Sequence, residues 1–320
     1  MLILTDDEVD RLIEPEAAIA LALEAYRAHA ARRFPPPGRL ALKQAEPAGG
    51  VLVLAGLGDG ADLVVKSNIH GWPDGPAAPR RTGSLLALWD LRAALPRALL
   101  ATAAFNDHRT AAGLAAAARL LARPGASRLA LFGAGKIARG ALATMRAAFP
   151  LDDVRIVSRD PARAAALAGT DARVFADPAE AVRDADIVLC ATSADTPVFP
   201  GDAVADQALV LLAGATRGDA READDALMRR AMVWADDATD SLEKGGDIRM
   251  ALASGALTAD RWLGEIGTLD APPRAEGPRV FKSIGIAPQD LLLARHVVAC
   301  AESAGIGLRH DMFPGWTRAG

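Results

Sequence analysis

Three basic side chains, Arg39, Lys66 and Arg109, are of types that could bind a small acid and move its proton. Lys66 follows Val64 and Val65, and these apolar neighbours predict a partly buried amine. A buried lysine has a lowered pKa and can act as a proton donor near neutral pH. Arg109 begins an apolar segment, where we expect a helix N-terminus. The helix dipole disfavours a cation at that position unless an anion lies nearby.

Each of these cations alone is more often structural, because an arginine at a helix start usually forms a surface ion pair. Together they suit the binding of one α-carboxylate, since a guanidinium offers a bidentate fork to a carboxylate. The three residues therefore predict a carboxylate-binding site in which Lys66 can also donate the proton.

A second candidate site is the strand, glycine turn and helix pattern of residues 129–149. Gly133 permits the tight turn, Gly135 lets a pyrophosphate approach the backbone, and Ala138 is small enough for close packing of helix on strand. The N-terminus of the helix offers free N–H groups to an anion. This pattern predicts dinucleotide binding.

The end of the next predicted strand, at Ser158 and Arg159, bears on which dinucleotide is bound. A fold specific for NAD usually places an acidic side chain here, which accepts from the ribose hydroxyls. A hydroxyl and a guanidinium suit a 2′-phosphate instead. We expect NADP(H) to be preferred over NAD(H); the alternative is that Arg159 is an ordinary surface residue. Asp160 is expected to cap the helix that begins at Pro161.

The first hundred residues predict the α+β elements that must position the three cations. Thr5 and Glu8 have the spacing of a capping box, and Pro15 opens a second helix over residues 16–33. Strand-like runs without helices between them follow, and they predict an antiparallel sheet. The predicted strands are residues 39–45, 51–57, 62–68, 84–90 and, more weakly, 98–103.

The second part of the chain alternates strands and helices, which predicts a doubly wound parallel α/β fold. Residues 187–191 and 209–213 are continuous apolar runs, typical of strands that are covered on both faces. We predict a Rossmann domain at residues 109–290 and a discontinuous α+β domain at residues 1–108 plus 291–320.

Composition excludes several classes of protein. The 320 residues carry a formal charge of −4, and the scattered arginines form no basic stripe for nucleic acid. The most apolar predicted helix, residues 110–122, is too short to span a bilayer and contains Arg119. Cys190 and Cys300 cannot form a disulfide framework, which favours reduced, buried thiols in a cytoplasmic protein.

Other polar residues predict no further chemistry. The five histidines have no metal-ligand spacing, so no metal site is expected. Ser193 has no readable histidine and acid arrangement around it, so nucleophilic catalysis is not expected. The acidic stretch from Asp236 to Asp247 is expected to be a solvated loop and helix start.

The chain resembles the ornithine cyclodeaminase/mu-crystallin family over nearly its whole length. Two of the matching segments, GATRGDARE and FKSIGIAPQD, are specific in combination. The motifs that carry the resemblance are Val65-Lys66, Arg109-Thr110-Ala111-Ala112, Gly133-Ala134-Gly135, residues 214–222 and residues 281–290.

This resemblance implies a homodimer whose discontinuous domain binds the substrate and forms the dimer. It implies that Arg39, Lys66 and Arg109 surround the carboxylate of a small imino or amino acid. It also implies that several strand-end segments line the cofactor. The candidate cofactor residues are then Thr82, Arg109, Thr110, Gly133, Ala134, Gly135, Lys136, Ile137, Ser158, Arg159, Ala191, Thr192, Ser193, Gly214, Ala215, Ser283 and Gly285.

Thr216 bears on the branch of the family. Cyclodeaminases that resemble this chain carry an aspartate there, whereas a threonine cannot act as a base at neutral pH. The resemblance therefore implies an NAD(P)H-dependent reductase of cyclic imino acids, of the Δ1-pyrroline-2-carboxylate or Δ1-piperideine-2-carboxylate type, or in reverse an amino-acid dehydrogenase. The alternatives are an ornithine or lysine cyclodeaminase that uses catalytic NAD, and a non-catalytic NADPH-binding protein similar to mu-crystallin. Ile137 and Ala141 depart from the glutamine and histidine of many members.

Overall fold

The structure is a computed structural model that describes residues 1–44, 49–71, 81–215, 217–274 and 276–314. Elements are labelled in chain order. The strands are β1 (Leu2–Leu4), β2 (Gly38–Gln44), β3 (Gly49–Leu57), β4 (Asp62–Gly71), β5 (Arg81–Asp90), β6 (Leu95–Ala101), β7 (Arg128–Phe132), β8 (Asp153–Val157), β9 (Arg173–Val174), β10 (Ile187–Cys190), β11 (Leu209–Leu212), β12 (Met232–Ala235), β13 (Trp262–Glu265), β14 (Arg279–Lys282) and β15 (Leu308–Arg309). The helices are α1 (Asp6–Leu12), α2 (Pro15–Ala30), α3 (Ala103–Leu121), α4 (Lys136–Ala148), α5 (Pro161–Ala168), α6 (Pro178–Val182), α7 (Asp225–Arg230), α8 (Ala238–Lys244), α9 (Gly246–Ala253) and α10 (Ala287–Ala304).

The chain divides into two compact units. Unit 1 consists of Met1–Leu21, Arg32–Arg109 and Ala287–Gly320, and unit 2 consists of Ala22–Ala31 and Thr110–Ile286. Within the described ranges, no helix combines the length and the hydropathy that a bilayer crossing requires.

Unit 1 is built on a seven-stranded sheet with the order β15-β1-β6-β5-β4-β3-β2. The antiparallel pairing predicted for its long strands is confirmed from β2 to β6. The sheet also contains β1, which the sequence did not predict and which pairs with β6 in parallel. With three residues, β1 is too short to show a readable alternation.

The two faces of this sheet differ in burial. Helix α10 packs on β3, β4 and β5, where Val64, Leu86 and Leu88 are buried. On the opposite face Leu42 and Ile69 are about half exposed, at 55% and 54%. One face of the sheet is thus covered within unit 1, while the other presents apolar side chains.

Side-chain caps stabilise the starts of α1 and α3 in unit 1. The predicted capping box is confirmed, since Thr5 N donates to Glu8 Oε2 at 2.8 Å and Glu8 N donates to Thr5 Oγ1 at 3.4 Å. Helix α3 begins at Ala103, so the expectation that Arg109 stands at a helix N-terminus is wrong. Ala104 N donates to Asp6 Oδ1 at 2.8 Å, so the first turn of α3 is capped by a residue 98 positions away in the chain.

Unit 2 is built on an eight-stranded parallel sheet with the order β13-β12-β14-β11-β10-β7-β8-β9. The doubly wound α/β class predicted from the alternating elements is confirmed. Strands β10 and β11 are buried at every residue, as their continuous apolar runs predicted. The strand order reverses between β7 and β10, and ligands bind at such a switch point, outside the carboxyl ends of the strands.

The candidate active site and cofactor site

Lys66 lies in the middle of β4, and only 2% of it is exposed. The strand register places Arg39, Leu54 and Lys66 in one row across β2, β3 and β4. Directly opposed residues of antiparallel strands project from the same face, so Arg39 and Lys66 share a face of the sheet two strands apart. The predicted burial of this amine is confirmed.

Asp290 of α10 is the carboxylate that accompanies Lys66. Its Oδ2 lies 2.6 Å from Lys66 Nζ, and its Oδ1 lies 3.4 Å from Arg109 Nε. Asp290 is 1% exposed. With Lys66 protonated, two cations face one anion, so these three side chains retain a net positive charge that favours binding of a second anion.

The pair formed by Arg109 and Asp290 is not saturated by hydrogen bonds. Arg109 Nε and Asp290 Oδ1 are both buried, and among the described residues neither atom has a hydrogen-bond partner. A guanidinium has five N–H donors, so Arg109 has donors to offer to a substrate carboxylate. This geometry is compatible with the predicted carboxylate site.

The surroundings of Lys66 tune its acidity. The pKa of the Lys66 amine is lowered to about 8. Burial is the largest cause, the positive charges of Arg109 and Arg39 act in the same direction, and the charge of Asp290 and the contact with it oppose the shift. The amine is therefore mainly protonated at neutral pH and is acidic enough to release its proton.

A polar network fixes the direction of the Lys66 amine. Lys66 Nζ donates to Asn106 Oδ1 at 3.1 Å, and Asn106 Nδ2 donates to Asn68 Oδ1 and Ser84 Oγ, each at 3.3 Å. Thr102 Oγ1 donates to Ser84 Oγ at 2.5 Å. The amide oxygen of Asn106 and the carboxylate of Asp290 together hold the amine in one orientation.

Sequence reasoning assigned no role to Asp290 or Asn106. The signal for Asp290 was an acid directly before the three leucines of α10, because an aspartate that is buried there needs a cationic partner. Asn106 lies three positions before Arg109, so the two share a face of α3, but no pattern along the chain shows its contact with Lys66.

The glycine turn joins β7 to α4 in unit 2. Gly133 has φ +112°, and a Cβ at this position would lie 2.5 Å from the carbonyl oxygen of Ala191. Gly135 is the N-cap of α4, and because it has no side chain the first turn of α4 has no side-chain cap. A Cβ at Gly135 would lie in open space. Ala138 is fully buried, as close packing of helix and strand requires.

The adenosine end of the predicted cofactor site lies at the carboxyl end of β8. Arg159 Nη2 donates to Ser193 Oγ at 3.4 Å, so this arginine links the loop after β8 to the loop after β10. Ser158 Oγ accepts from Asp160 N at 3.2 Å. Asp160 also accepts from Ala162 N and Arg163 N, which confirms it as the N-cap of α5.

Buried carboxylates support the loops after the neighbouring strands. Asp236 accepts from Ser283 Oγ at 3.0 Å and from Gly285 N at 2.7 Å. Burial raises its pKa, and these hydrogen bonds oppose that rise. Asp236 and Asp247 are 1% and 0% exposed. The expectation that this acidic stretch is solvated is wrong at both positions, because each carboxylate has buried donors as partners.

The candidate cofactor residues fall in both units. Thr82 lies on β5 and Arg109 on α3, both in unit 1. Thr216, the residue that bears on the branch of the family, lies outside the described residues. The candidates in unit 2 that follow carboxyl ends of its strands are Gly133, Ala134, Gly135, Ser158, Arg159, Ala191, Thr192, Ser193, Gly214, Ala215, Ser283 and Gly285.

The residues at the glycine turn fit the pyrophosphate of a dinucleotide. Helix α4 has 13 residues and an N-terminus without a side-chain cap, and Gly135 leaves space beside it. Free N–H groups and the helix dipole favour an anion at that place. This place at the edge of the sheet therefore fits the pyrophosphate of a dinucleotide.

The spacing of the histidines along the chain indicated no metal site. The fold nevertheless brings three side chains of metal-ligating types together in unit 2. His29 Nε2 lies 3.0 Å from Asp237 Oδ2 and 3.8 Å from Glu265 Oε1. An imidazole between two carboxylates forms an ion-pair cluster when it is protonated. The absence of a metal site stays a prediction.

The glycine turn, the parallel sheet and the buried lysine invite comparison with known proteins. The model of the ornithine cyclodeaminase/mu-crystallin family matches residues 1–305. The chain belongs to this family. The match confirms the resemblance that the sequence motifs indicated.

Two curated relatives and one solved structure illustrate the likeness. The ketimine reductase mu-crystallin of Mus musculus is 37% identical over 193 residues, which cover 59% of this chain and 60% of that protein. The Δ1-pyrroline-2-carboxylate reductase of Paracoccus denitrificans is 35% identical over 239 residues, covering 70% of this chain and 75% of that protein. The Thermococcus litoralis Δ1-pyrroline-2-carboxylate reductase in complex with NADH and L-proline has a TM-score of 0.87 at 22% identity, covering 97% of this chain and 100% of that one. This last likeness confirms the fold.

Proposed function

We propose that this protein is a nicotinamide-dependent reductase of cyclic imino acids, of the Δ1-pyrroline-2-carboxylate or Δ1-piperideine-2-carboxylate type. The observation that carries the proposal is the buried Lys66 amine held beside Arg109 and Asp290. Its relatives in mouse and Paracoccus denitrificans, which are named for ketimine and pyrroline-2-carboxylate reduction, support the same chemistry.

Arg109 and Arg39 bind the substrate carboxylate in this proposal. Arg109 has a buried Nε without a hydrogen bond among the described residues, and Arg109, Lys66 and Asp290 together carry a net positive charge when Lys66 is protonated. Arg39 lies on the same face of the sheet as Lys66. Two guanidiniums give a planar carboxylate both charge and direction, which fixes the position of the adjacent C=N bond.

Lys66 donates the proton that the reduction consumes. Reduction of the imine adds a hydride to its carbon and a proton to its nitrogen, and the reduced nicotinamide supplies the hydride when bound. The lowered pKa of about 8 makes the Lys66 ammonium a competent acid at neutral pH. In the reverse direction the neutral amine accepts the proton, so amino-acid oxidation is expected to gain at pH values above about 8.

We infer that NADP(H) is the preferred cofactor. Arg159 and Ser158 stand at the end of β8, where an NAD-specific site has an acid. The Arg159 guanidinium already reaches a hydroxyl across the edge of the sheet, at Ser193. A 2′-phosphate offers this guanidinium a charged acceptor.

We infer further that two copies of the chain associate through the outer face of the unit 1 sheet. The register aligns Leu42, Val51 and Ile69 in one row, and Leu40 lies on the same face as Leu42. Leu40, Leu42 and Ile69 are each about half exposed. An apolar sheet face of this kind is stabilised when a second copy covers it.

A direct assay tests the proposed reaction. Purified protein, Δ1-piperideine-2-carboxylate or Δ1-pyrroline-2-carboxylate, and NADPH should give a loss of NADPH absorbance and one amino acid per NADPH consumed. Lys66→Ala should lower kcat at least about a hundredfold, because it removes the proton donor. Lys244→Ala serves as the matched control, since Lys244 pairs with Asp240 on the surface of α8.

Other outcomes would favour the other members of the family. Release of ammonia from ornithine or lysine without net change in NADPH or NADH would indicate a cyclodeaminase. Tight NADPH binding without turnover of any cyclic imine would indicate a binding protein. Either result would sink the reductase proposal.

A further inference from the structure

A buried carboxylate to which the sequence analysis assigned no role joins two loops at the edge of the parallel sheet. Glu222 precedes α7 and is 0% exposed. Its Oε1 accepts from Thr192 N at 2.9 Å and from Thr192 Oγ1 at 2.7 Å. Its Oε2 accepts from Gly214 N at 2.7 Å. One side chain thus ties the loop after β10 to the loop after β11.

The backbone of Glu222 is fixed by a second buried carboxylate, Asp247. The N–H of Glu222 and that of Ala223 donate to Asp247 Oδ1 at 2.6 and 2.9 Å. Asp247 Oδ2 accepts from Lys282 Nζ at 2.8 Å, and both of these side chains are 0% exposed. The chain of contacts therefore runs from the two loops to the last residue of β14.

The lack of a side chain at Gly214 lets the two loops lie close together. A Cβ at Gly214 would collide with the carbonyl oxygen of Thr192 and with the carboxylate of Glu222. All three hydrogen bonds of the Glu222 carboxylate come from N–H or O–H donors, so the position calls for a group that only accepts. A carboxylate meets this requirement, whereas the N–H₂ group of an amide would face a backbone N–H such as that of Gly214, so that two donors oppose each other.

Strand order tells which half of a dinucleotide these loops serve. The glycine turn follows β7, and β8 and β9 lie on one side of it, while β10, β11 and β14 lie on the other. A dinucleotide crosses the switch point with one mononucleotide on each half of the sheet. Because Arg159 after β8 marks the adenosine side, Thr192 and Gly214 belong to the nicotinamide side.

We propose that Glu222 is a positioning residue that sets the nicotinamide half of the cofactor site by fixing the spacing between Thr192 and Gly214. Its side chain is fully buried, so it acts through Thr192 and Gly214 and not by direct contact with substrate or cofactor. The proposal rests on the proposed function only in that the protein must bind a nicotinamide dinucleotide; it does not depend on which imino acid is reduced.

Ligand pairs that differ only in the nicotinamide half test this role. Binding of NADPH and of 2′-phospho-ADP-ribose is measured by calorimetry on the wild type and on Glu222→Gln, with NADH and ADP-ribose run in parallel. Glu222→Gln keeps the shape of the side chain but points an amide N–H₂ at a donor, so the two loops separate. We expect NADPH to bind at least about tenfold more weakly and 2′-phospho-ADP-ribose to change by less than about twofold.

Two further variants separate positioning from stability. Asp186→Asn removes a second buried carboxylate of the same sheet, one that accepts from Ser127 N and Arg128 N at its opposite, amino-terminal edge. It should lower the Tm and leave both affinities unchanged. Thr192→Val removes one of the three hydrogen bonds to Glu222, and it should weaken NADPH binding about threefold with no change for 2′-phospho-ADP-ribose. This variant tests the role even if Glu222→Gln does not fold.

If Glu222→Gln and Thr192→Val weakened the binding of NADPH and of 2′-phospho-ADP-ribose equally, the inference would be overturned. Such a result would mean that these residues act on the stability of the whole domain. Unchanged NADPH affinity in both variants would overturn it as well. A wild type that binds none of the four nucleotides would instead overturn the proposed function, and this inference with it.

Discussion

At the scale of single residues, Lys66 shows how a buried amine can stay protonated at neutral pH. Burial and the charges of Arg109 and Arg39 lower the pKa of its amine to about 8, and Asp290 at 2.6 Å acts in the opposite direction. Without Asp290 the buried ammonium would lose the counter-charge that offsets its desolvation. Asp290 therefore keeps the proton on Lys66 at neutral pH.

This relation predicts a pH effect. In the wild type, kcat/KM for imine reduction should fall as the pH rises through about 8, because the protonated amine is the active form. Asp290→Asn removes the group that raises the pKa of Lys66, so the fall should begin at lower pH, and kcat/KM at pH 8 should drop about tenfold. The measurement is the pH profile of kcat/KM in both proteins. An alkaline limb at the same pH in Asp290→Asn would contradict this account of the pair.

A second prediction at this scale concerns Arg159. Arg159→Ala should raise KM for NADPH about tenfold and leave KM for NADH within about twofold, because only NADPH carries the 2′-phosphate. Steady-state kinetics with both cofactors provide the measurement. Arg163→Ala is the matched control, since Arg163 is an exposed arginine on α5, the helix that follows Arg159 in the chain. Equal changes for the two cofactors would remove Arg159 from the specificity site.

At the scale of elements, the turn between β7 and α4 contains two glycines with different physical reasons. Gly133 is required by the fold, because its φ of +112° and the nearby Ala191 carbonyl leave no place for a side chain. Gly135 has φ −85° and ψ −172°, which any residue adopts, and it lies beside open space. We propose that its lack of a side chain leaves room for the pyrophosphate of the cofactor.

The two alanine variants should therefore separate stability from binding. Gly133→Ala is expected to lower the free energy of unfolding by about 3 kcal/mol, through backbone strain and the clash with Ala191. Gly135→Ala is expected to change the free energy of unfolding by less than about 1 kcal/mol and to weaken cofactor binding at least about tenfold, since its methyl group occupies the approach of the pyrophosphate. Denaturant melts and calorimetry give both quantities. Full cofactor affinity in Gly135→Ala would argue against pyrophosphate binding at this turn.

At the scale of the whole molecule, the outer face of the unit 1 sheet predicts the oligomeric state. Leu42 and Ile69 face outward in one row and are 55% and 54% exposed. Burying such a face against a second copy contributes roughly 25 cal/mol per Å² of apolar area.

Ile69→Asp should convert the proposed dimer to a monomer, because a carboxylate buried in the proposed apolar interface would have no partner. Light scattering after size exclusion measures the mass. Leu242→Asp, at an exposed leucine of α8 in unit 2, is the control and should leave the mass unchanged. A wild type that is monomeric at micromolar concentration would refute the dimer proposal.

Much of the fold could be predicted because its signals are local. The glycine turn, the continuous apolar strands β10 and β11 and the caps at Thr5 and Asp160 each depend on residues within a few positions of one another. Such patterns follow from backbone geometry and side-chain period alone. The two short strands β1 and β15 escaped prediction, because pairing between distant segments, rather than propensity, creates them.

Sequence alone determined the family, the class of fold and the residue types able to bind a carboxylate and a dinucleotide. Only the tertiary structure decided which carboxylates are buried and which cations they face. Asp290 beside Lys66 and Asp247 beside Lys282 are pairs from distant segments, and Asp236 and Asp247 looked like solvated acids in the chain. The physical reason is that the desolvation of a charge, which sets both its pKa and its need for a partner, is a property of the packed molecule and has no period along the sequence.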